Sequence, residues 1–490
     1  MKKMLTNLLK PLPIIFLSLF FMSCFEDNDD NAVTASSISD FVWKGMNAAY
    51  LYKSNVPDLA NDRFENTNDY AAYLNAFESP ESCFESLIYA RQTVDRYSWI
   101  VNDYIALEQQ FSGTTKSNGM AYGLVRLSAT DQNVYGYVRY VLPNTSAESA
   151  SVERGMLFWG VDGTQLTVNN YKALLAADNY TINLGTYNDN GTEDESDDNI
   201  VPNNESIVLP KSIYTANPVY QTELLEVENE SVGYLVYNGF VSEFESQLNA
   251  AFASFAAANV QHLVVDLRYN PGGSVETATV LGSLITGQFT DELFVRLEYN
   301  EDVQASVNDL ETLNYRFTTS LDNGSGLNSL GMQTVYFITT KNSASASELV
   351  INSLKPYLGD SEVLVFGKAT EGKSQASVTL YDSPTYGRTG ANPNHTYAMQ
   401  PLVAITKNSL EVSVPSDGLT PFFEIDENLN NLGQLGDPNE PLLAAVLDHI
   451  AGSNFAPINS FLSQSILIDS DQSLLPFKEG LHFRQRNKLQ

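Results

Sequence analysis

The sequence predicts a multi-domain α+β protein with a helical N-terminal segment, a small β domain and an α/β core that has a largely parallel sheet. Its 490 residues exceed what one hydrophobic core organises, so several folding units are expected. From residue 231 onward, strand-like and helix-like patterns alternate, which is typical of βαβ units. Hydrophobic residues make up 43% of the chain and charged residues 18%, a composition that favours a globular protein over a disordered one.

The charge balance is strongly acidic and excludes a nucleic-acid function. The chain carries 59 Asp and Glu against 27 Lys and Arg, a formal net charge of -32. Binding to phosphates requires clustered cations, which this chain lacks. Neither an H-E-x-x-H motif nor paired cysteines are present. The sequence therefore predicts no metal and no cofactor.

The first residues have the pattern of an export signal. Residues 1–23 combine a basic MKK start, the apolar run PIIFLSLFFM and a small residue before Cys24. A cysteine at the first mature position resembles a bacterial lipoprotein signal, so Cys24 is the predicted lipidation site and membrane anchor. An uncleaved anchor is disfavoured because the apolar run is shorter than the roughly 20 residues that span a bilayer.

Two interpretations fit the acidic linker 24–37, which begins FEDNDDN after the cysteine. It resembles the signals that send some Bacteroidetes lipoproteins to the outer face of the outer membrane, and it also fits a solvated linker. The predicted location is thus the outer membrane or surface of a Gram-negative cell.

Three segments precede the predicted core. Residues 38–112 have helix-like apolar spacing, including one long stretch from Ser79 to Phe111. Residues 113–190 contain short alternating runs with one or two helices, in an order that resembles a PDZ domain. PDZ domains bind chain ends by strand addition. Residues 191–225 are predicted to be an acidic loop and linker.

The predicted core covers residues 226–455, and the tail 456–490 has no assigned chemistry. Three loops in the core follow the carboxyl ends of predicted strands: NPGG (270–273), KNSASASE (341–348) and GKATEGK (367–373). In right-handed βαβ units the strands end at one edge of the sheet. We therefore expect these loops to lie together, at the edge where α/β sheets place their ligand sites.

Ser345 is the candidate nucleophile, although its position also has a structural explanation. Ser345 and Glu348 fit a capping box, so the serine could simply cap a helix. A hydroxyl at a helix N-terminus also lies where N–H groups and the dipole favour negative charge. That suits an oxyanion, for which the N–H groups of Ala346 and Gly273 are the expected donors.

Lys373 is the candidate general base. A serine hydroxyl is a weak nucleophile until a base removes its proton. Lysine acts as a base near neutral pH only if burial lowers its pKa from about 10.4. An ordinary surface lysine is the alternative for Lys373. Among the four histidines, only His395, in NPNHTY, is plausible as a different base.

With these residues identified, the chain from about 40 to 455 resembles the C-terminal processing peptidases, also called tail-specific proteases. The resemblance rests on VGYLVYNGF, VVDLRYNPGG, NSASASE and GKATEGK in that order. It implies a PDZ domain and a catalytic core of crotonase or Clp-protease type. It also implies Ser345 as nucleophile, Lys373 as base, and Gly273 and Ala346 as oxyanion donors.

One position departs from the family pattern. The family has a glutamine four residues after the lysine, which orients it, whereas this chain has Ser377 there. Gln375 lies two residues after Lys373. Alternate residues of a strand share a face, so the third catalytic residue is either Gln375 or Ser377.

The predicted function is a serine endopeptidase that cleaves exported or cell-surface polypeptides through an acyl-enzyme. The first alternative is an inactive peptide-binding lipoprotein with the same fold. The second is a crotonase-like acyl-transfer enzyme, which export away from coenzyme A disfavours.

Overall fold

The computed structural model describes residues 36–192, 197–453 and 466–468. The predicted signal peptide (1–23), the lipidation site Cys24 and nearly all of the linker 24–37 lie outside the described residues. Within the described part of the chain, no helix is long and apolar enough to cross a membrane.

Short helices and one strand form the N-terminal segment. They are α1 (Ser37–Ala49), α2 (Thr67–Leu74), α3 (Pro80–Ser86), β1 (Trp99–Val101) and α4 (Tyr104–Phe111). The prediction of helix from Ser79 to Phe111 is wrong for its middle part, because α3 ends at Ser86. The buried Asp95 carboxylate accepts the N–H groups of Tyr97 and Ser98. A side chain that takes local backbone donors in this way competes with helix formation.

A mostly antiparallel β domain follows. Its elements are β2 (Thr114–Ser117), β3 (Met120–Arg126), β4 (Tyr135–Val141), α5 (Ser146–Ser149), β5 (Leu157–Val161), β6 (Thr164–Gln165), α6 (Tyr171–Ala176), β7 (Asn179–Asn188), β8 (Asn199–Pro210) and β9 (Ser212–Thr215). The order in the main sheet is β3-β4-β5-β7-β8, with β6 on β5.

The prediction of loop and linker for residues 191–225 is wrong over much of its length. Strands β8 and β9 lie inside it, and β8 pairs with β7 from Asn199 to Pro210. Most side chains of β8 are half-buried or exposed. Backbone pairing does not require apolar side chains where a strand faces water, so a polar sequence conceals the strand.

The core contains the predicted alternation of strands and helices. The first half has β10 (Val219–Val227), β11 (Glu230–Tyr237), α7 (Glu245–Ala258), β12 (His262–Asp266), α8 (Val275–Thr286), β13 (Leu293–Tyr299), α9 (Glu301–Ser306) and β14 (Asn314–Arg316). The second half has β15 (Val335–Thr339), α10 (Ala346–Leu358), β16 (Val363–Gly367), β17 (Gln375–Ser377), β18 (Leu380–Tyr381), β19 (Ala398–Gln400), β20 (Leu402–Lys407), β21 (Phe423–Glu424) and α11 (Pro441–Ile450).

Two sheets and a small three-stranded sheet organise this core. The main sheet has the order β10-β11-β12-β15-β16-β21, in which β11 to β21 are mutually parallel. A second sheet, with the order β14-β13-β20-β17, was not predicted. The third sheet joins β1 of the N-terminal segment to β19, with Trp99 opposite Gln400.

The N-terminal segment and the core share one hydrophobic cluster. Met46 of α1, Leu281 of α8 and Ile351 of α10 all belong to it and are fully buried. Burial of a side chain of this size contributes about 1.5–3 kcal/mol. The N-terminal segment is therefore built into the same core as the helix that begins after Ser345.

Residues 466–468 are the described part of the predicted tail 456–490. They form β22 (Ile466–Ile468), which pairs antiparallel with β3 so that Leu467 lies opposite Val125. This strand extends the β-domain sheet on the side of β3 away from β4.

Candidate active site

The three loops that follow β12, β15 and β16 lie side by side. The backbone N–H of Ala344 donates to the carbonyl of Asn270 at 3.1 Å, and that of Glu371 donates to the carbonyl of Ser343 at 3.0 Å. Parallel strands joined by right-handed crossovers end at one edge, which is why segments about 100 residues apart meet there. The site consists of this loop junction and the N-terminus of α10.

Ser345 has an unusual backbone conformation and a free hydroxyl. Its φ is 65° and its ψ is -110°, in a region that L-residues rarely adopt. The residue is only 1% exposed, and its Oγ makes no hydrogen bond within the described residues. A serine that only capped α10 would use this oxygen to accept a backbone N–H. The strained turn instead leaves the hydroxyl unused.

Glu348 ties the serine loop to the lysine loop. Its Oε2 accepts the backbone N–H of Ser345 at 2.6 Å and that of Lys373 at 2.9 Å. Its Oε1 accepts hydrogen bonds from the hydroxyl of Thr370 at 2.5 Å and from the N–H of Gly372 at 2.7 Å. Because both backbone nitrogens bond the same oxygen, the distance between them cannot exceed the sum of the two hydrogen-bond lengths. This buried carboxylate therefore fixes the separation of the backbones that carry Ser345 and Lys373.

The environment of Lys373 favours a neutral amine. The residue is 7% exposed, and burial lowers the pKa of its side chain to about 8. The negative charges of Asp95, Glu348 and Glu371 act in the opposite direction and limit the decrease. At pH 7 to 8 a substantial fraction of Lys373 is thus able to accept a proton.

Two backbone N–H groups face the same junction. Phe240 pairs with the NPGG loop, since its N–H donates to Gly272 and its carbonyl accepts from Ser274. In this parallel bridge the N–H of Gly273, between those two residues, points away from Phe240. The N–H of Ala346 lies in the first turn of α10, where no helical partner exists for it. Both groups are thus placed as hydrogen-bond donors of the kind that an oxyanion requires.

Gly272 brings the NPGG loop into contact with the serine turn. Its φ is 111°, and a Cβ there would lie 2.7 Å from Ser345 Cβ and 3.0 Å from the nitrogen of Ala346. Asn270 holds the loop by accepting the N–H of Gly272 at 2.9 Å through its side chain. A residue without a side chain is therefore needed at position 272.

Gln375 and Ser377, the two residues expected to orient Lys373, both lie on β17. The Nε2 of Gln375 donates to the hydroxyl of Tyr52 at 3.3 Å. Ser377 is buried and pairs with Leu402 of β20. The structure therefore gives Gln375 a partner in the N-terminal segment.

The described histidines have other partners. His395 Nε2 lies 2.9 Å from an oxygen of Asp382. His262 Nε2 lies 2.6 Å from Glu230, at the start of β12 and so at the opposite end of that strand from the loop junction. Among the described residues, no group of three or more His, Cys, Asp or Glu could hold a metal ion.

The sequence alone did not indicate three residues of the site. Asp95 and Tyr97 belong to the stretch predicted as helix, and Glu348 was considered only as half of a capping box. The Ser345-x-x-Glu348 spacing was the available signal for Glu348. No local pattern indicates that Asp95 and Tyr97 approach Lys373, because that approach depends on the packing of the N-terminal segment.

Comparison with known proteins identifies the family. The model of peptidase family S41 matches residues 231–385, and the model of the peptidase S41 N-terminal domain matches residues 37–99. The first match includes all three loops of the junction, and the second includes Asp95 and Tyr97. The chain therefore matches the models of both the N-terminal and the peptidase domain of family S41, as the resemblance predicts, while the lipoprotein part of that prediction stays a prediction.

Individual relatives are distant in sequence. A probable CtpA-like serine protease of Staphylococcus epidermidis is 26% identical over 170 residues, which is 34% of this chain and 31% of that protein. The matched segment thus spans about a third of that relative's length.

The solved structures show the fold. A Bacteroides fragilis protein assigned to the S41 proteases aligns with a TM-score of 0.65 at 24% identity, over 84% of this chain and 97% of that chain. A photosystem II D1 C-terminal processing protease aligns with a TM-score of 0.47 at 17% identity, too distant a likeness for any argument. The mixed α/β fold is thus shared with the B. fragilis protein.

Proposed function

We propose that the protein is a serine endopeptidase that cleaves exported or cell-surface polypeptides through an acyl-enzyme. The observation that carries this proposal is the junction itself, where a strained serine with a free hydroxyl and a buried lysine are held on one carboxylate. The S41 peptidase match over the same residues supports it.

In the first step, Oγ of Ser345 attacks the carbonyl carbon of the scissile peptide bond. The proton of the hydroxyl passes to Nζ of Lys373, and the carbonyl oxygen becomes an oxyanion. The N–H groups of Gly273 and Ala346 donate to that oxyanion, and the N-terminus of α10 adds a favourable field. Oγ makes no hydrogen bond within the described residues, so the transfer requires Oγ and Nζ to come within hydrogen-bond distance in the substrate complex.

In the second step, the C–N bond breaks and the amine leaves with the proton that Lys373 holds. The remaining ester links the acyl part of the substrate to Ser345. Lys373, again neutral, removes a proton from water, which attacks the ester carbonyl. Collapse of the second tetrahedral intermediate returns the proton to Ser345 and releases the acid.

The neighbouring β domain suits a polypeptide substrate. A cleft of about 360 Å³ lies between it and the core, with Val125 and Tyr137 on one side and Thr340, Asn342 and Lys368 on the other. We propose that the domain acts as a PDZ-like unit that presents extended segments by strand addition. At one edge of this sheet, β3 already pairs with β22 over the three residues Ile466–Ile468, which is an example of such strand addition.

The test of the proposal is cleavage of casein by protein that begins after Cys24. The wild type should cleave, whereas Ser345→Ala and Lys373→Ala should each lose roughly 10⁴-fold or more in kcat, because the nucleophile and its base act as a unit. Circular dichroism checks that both variants fold. His395→Ala serves as a matched control and should keep its activity.

The other outcomes are equally informative. Absence of cleavage by the wild type across a broad peptide panel, with folding intact, would favour the inactive peptide-binding alternative. Activity that survives Lys373→Ala but is lost in His395→Ala would transfer the role of base to the histidine.

We also propose that Cys24 anchors the exported protein to the outer membrane or cell surface. Full-length protein should partition with membranes and carry lipid on Cys24 by mass spectrometry. Cys24→Ala should be released into the soluble fraction, and recovery of that variant in the membrane would contradict the anchor.

A further inference from the structure

The N-terminal segment contributes an aromatic ring next to Lys373, the proposed base. Nζ of Lys373 lies 4.7 Å from the ring centroid of Tyr97. Tyr97 is half-buried in the turn between α3 and β1, far from Lys373 in sequence. Of the two residues expected to orient the lysine, Gln375 is bound to Tyr52. The ring of Tyr97 is therefore a contact of the Lys373 amine that comes from outside the strand on which the orienting residue was expected.

Several contacts fix the Tyr97 ring. Its hydroxyl donates to Glu371 Oε1 at 3.0 Å, two residues before Lys373, and its backbone N–H donates to Asp95 Oδ1 at 3.1 Å. Ser98, the next residue, accepts the backbone N–H of Leu402 at 2.8 Å through its Oγ. The turn is therefore attached to the core at Ser98, and the ring is held at its hydroxyl by Glu371.

We propose that Tyr97 is a positioning residue whose ring holds the ammonium group of Lys373 after it accepts the serine proton. This inference rests on the proposed peptidase function. Aromatic rings attract cations through their negative faces, and the attraction is strongest where water is excluded. In the reactive form of the enzyme Lys373 is neutral, and from that form the ammonium appears only as the serine proton is transferred, so the ring stabilises the transition state more than it stabilises the reactive form.

The charged groups around Lys373 are consistent with this role. Burial and the neighbouring Glu371 raise the pKa of Tyr97, which keeps the phenol neutral. Asp95, Glu348 and Glu371 also favour the protonated lysine. Arg96, whose guanidinium carbon is 4.8 Å from the same ring centroid, bonds Glu371 at 3.0 Å. Arg96 thus neutralises part of the charge of Glu371. The attraction of Glu371 for the Lys373 ammonium is weaker as a result, and the contact with the Tyr97 ring is correspondingly more important.

The experiment compares Tyr97→Leu, which removes the ring, with Tyr97→Phe, which keeps it. On a fluorogenic peptide derived from casein, Tyr97→Leu should lower kcat about tenfold to thirtyfold with little change in KM. The acidic limb of its kcat/KM profile should move to lower pH, because loss of the ring disfavours the ammonium. Tyr97→Phe should stay within about threefold of the wild type.

Tyr73→Leu provides a matched control for simple loosening of the N-terminal domain. Tyr73 packs on Phe64 and Phe77 in the same domain, and its ring faces Arg63 rather than Lys373. This variant should melt at a lower temperature but keep the wild-type pH profile. If Tyr97→Leu does not fold, Tyr97→Met replaces it with the same expected result.

Three results would overturn the inference. They are an unchanged kcat and pH profile in Tyr97→Leu, an equal loss in Tyr97→Phe, or the same pH shift in Tyr73→Leu. Failure of the proposed function has a different signature, since the wild type itself would then neither cleave the peptide nor react with a fluorophosphonate at Ser345.

Discussion

At the scale of single residues, the backbone of Ser345 stores strain. A non-glycine residue at a φ of 65° and a ψ of -110° costs about 1–3 kcal/mol, and surrounding contacts must maintain it. The bonds of Glu348 to the N–H groups of Ser345 and Lys373 provide that restraint. The strained conformation accompanies a hydroxyl that makes no hydrogen bond within the described residues.

This strain predicts a difference between two inactive variants. Ser345→Gly should be more stable than Ser345→Ala by about 1 kcal/mol, because glycine tolerates positive φ whereas alanine keeps the strain. Thermal melts should show the glycine variant higher by about 1–2 °C, since a chain of this size has a large unfolding entropy. Equal melting temperatures would mean that the turn relaxes once the hydroxyl is gone.

The pKa of Lys373 predicts the pH dependence of the enzyme. The neutral amine is required, so kcat/KM should rise with pH through a midpoint near 8. The sign follows from burial, which disfavours the ammonium and brings the midpoint down from the ordinary value near 10.4. A midpoint near 6.5 in a kcat/KM profile would indicate a histidine instead.

The sequence predicted that the loops of Ser345 and Lys373 meet, and they do, whereas the catalytic roles of the two residues stay predictions. Ser345 and Lys373 lie in loops that directly follow recognisable strands, so topology alone brought them together. Tyr97 and Asp95 reach the site only because β1 pairs with β19. Strand β1 has only three residues and lies within a segment whose sequence pattern predicts helix. Tertiary pairing of that kind overrides local pattern, which is why these two residues were missed.

At the scale of elements, the NPGG loop predicts a steric test. In Gly272→Ala the new Cβ would lie 2.7 Å from Ser345 Cβ, so the serine must move and activity should fall at least about 100-fold. Gly155→Ala is the matched control, because Gly155 also has positive φ (91°) but open space around its Cβ position.

Both glycine variants suffer backbone strain, and only the one at position 272 displaces the nucleophile. Casein cleavage together with thermal melts separates these effects. Equal activity losses in the two variants would contradict the steric argument.

The elements of the main sheet could be predicted because buried strands read as apolar runs. Strands β11, β12, β15 and β16 are such runs, and each was predicted near its observed position. The second sheet and β8 were missed for the opposite reason. Strand β8 is mostly half-buried or exposed, so its backbone hydrogen bonds leave little trace in side-chain hydrophobicity, whereas β14 and β17 of the second sheet are only three residues long.

At the scale of the whole molecule, a buried ionic network joins the β domain to the core. Arg154, which precedes β5, donates to Glu427 at 2.7 Å, and Arg268 lies 3.3 Å from the same carboxylate. Arg268 also bonds Glu440 at 2.7 Å and leads into the NPGG loop. Tyr269 donates to Glu427 as well. The network thus links the β domain to the loop that carries Gly273.

The network predicts a loss of stability in acid. Burial would raise the pKa of Glu427, but Arg154 and Arg268 outweigh it and lower the pKa to about 2. A lowered carboxylate pKa contributes stability above its unfolded value near 4.3, and this is lost as pH falls toward 2. The contribution at neutral pH is about 3 kcal/mol on this basis.

Thermal melts between pH 7 and pH 2 test this prediction. Glu427→Gln should melt well below the wild type at pH 7 and approach it near pH 2. Glu424→Gln, which alters an exposed partner of Lys368, should change little at either pH. A constant difference between Glu427→Gln and the wild type across the range would sink the electrostatic explanation.

The pairing of Trp99 with Gln400 also affects the order in which the chain can fold during synthesis. A ribosome adds roughly 5–20 residues per second, so about 15–60 seconds separate the synthesis of the two partners. Until Gln400 has been made, β1 has no strand to join, and the turn that carries Tyr97 cannot dock beside Lys373. The contact between Tyr97 and Lys373 therefore depends on the pairing of a strand that is made early with one that is made late.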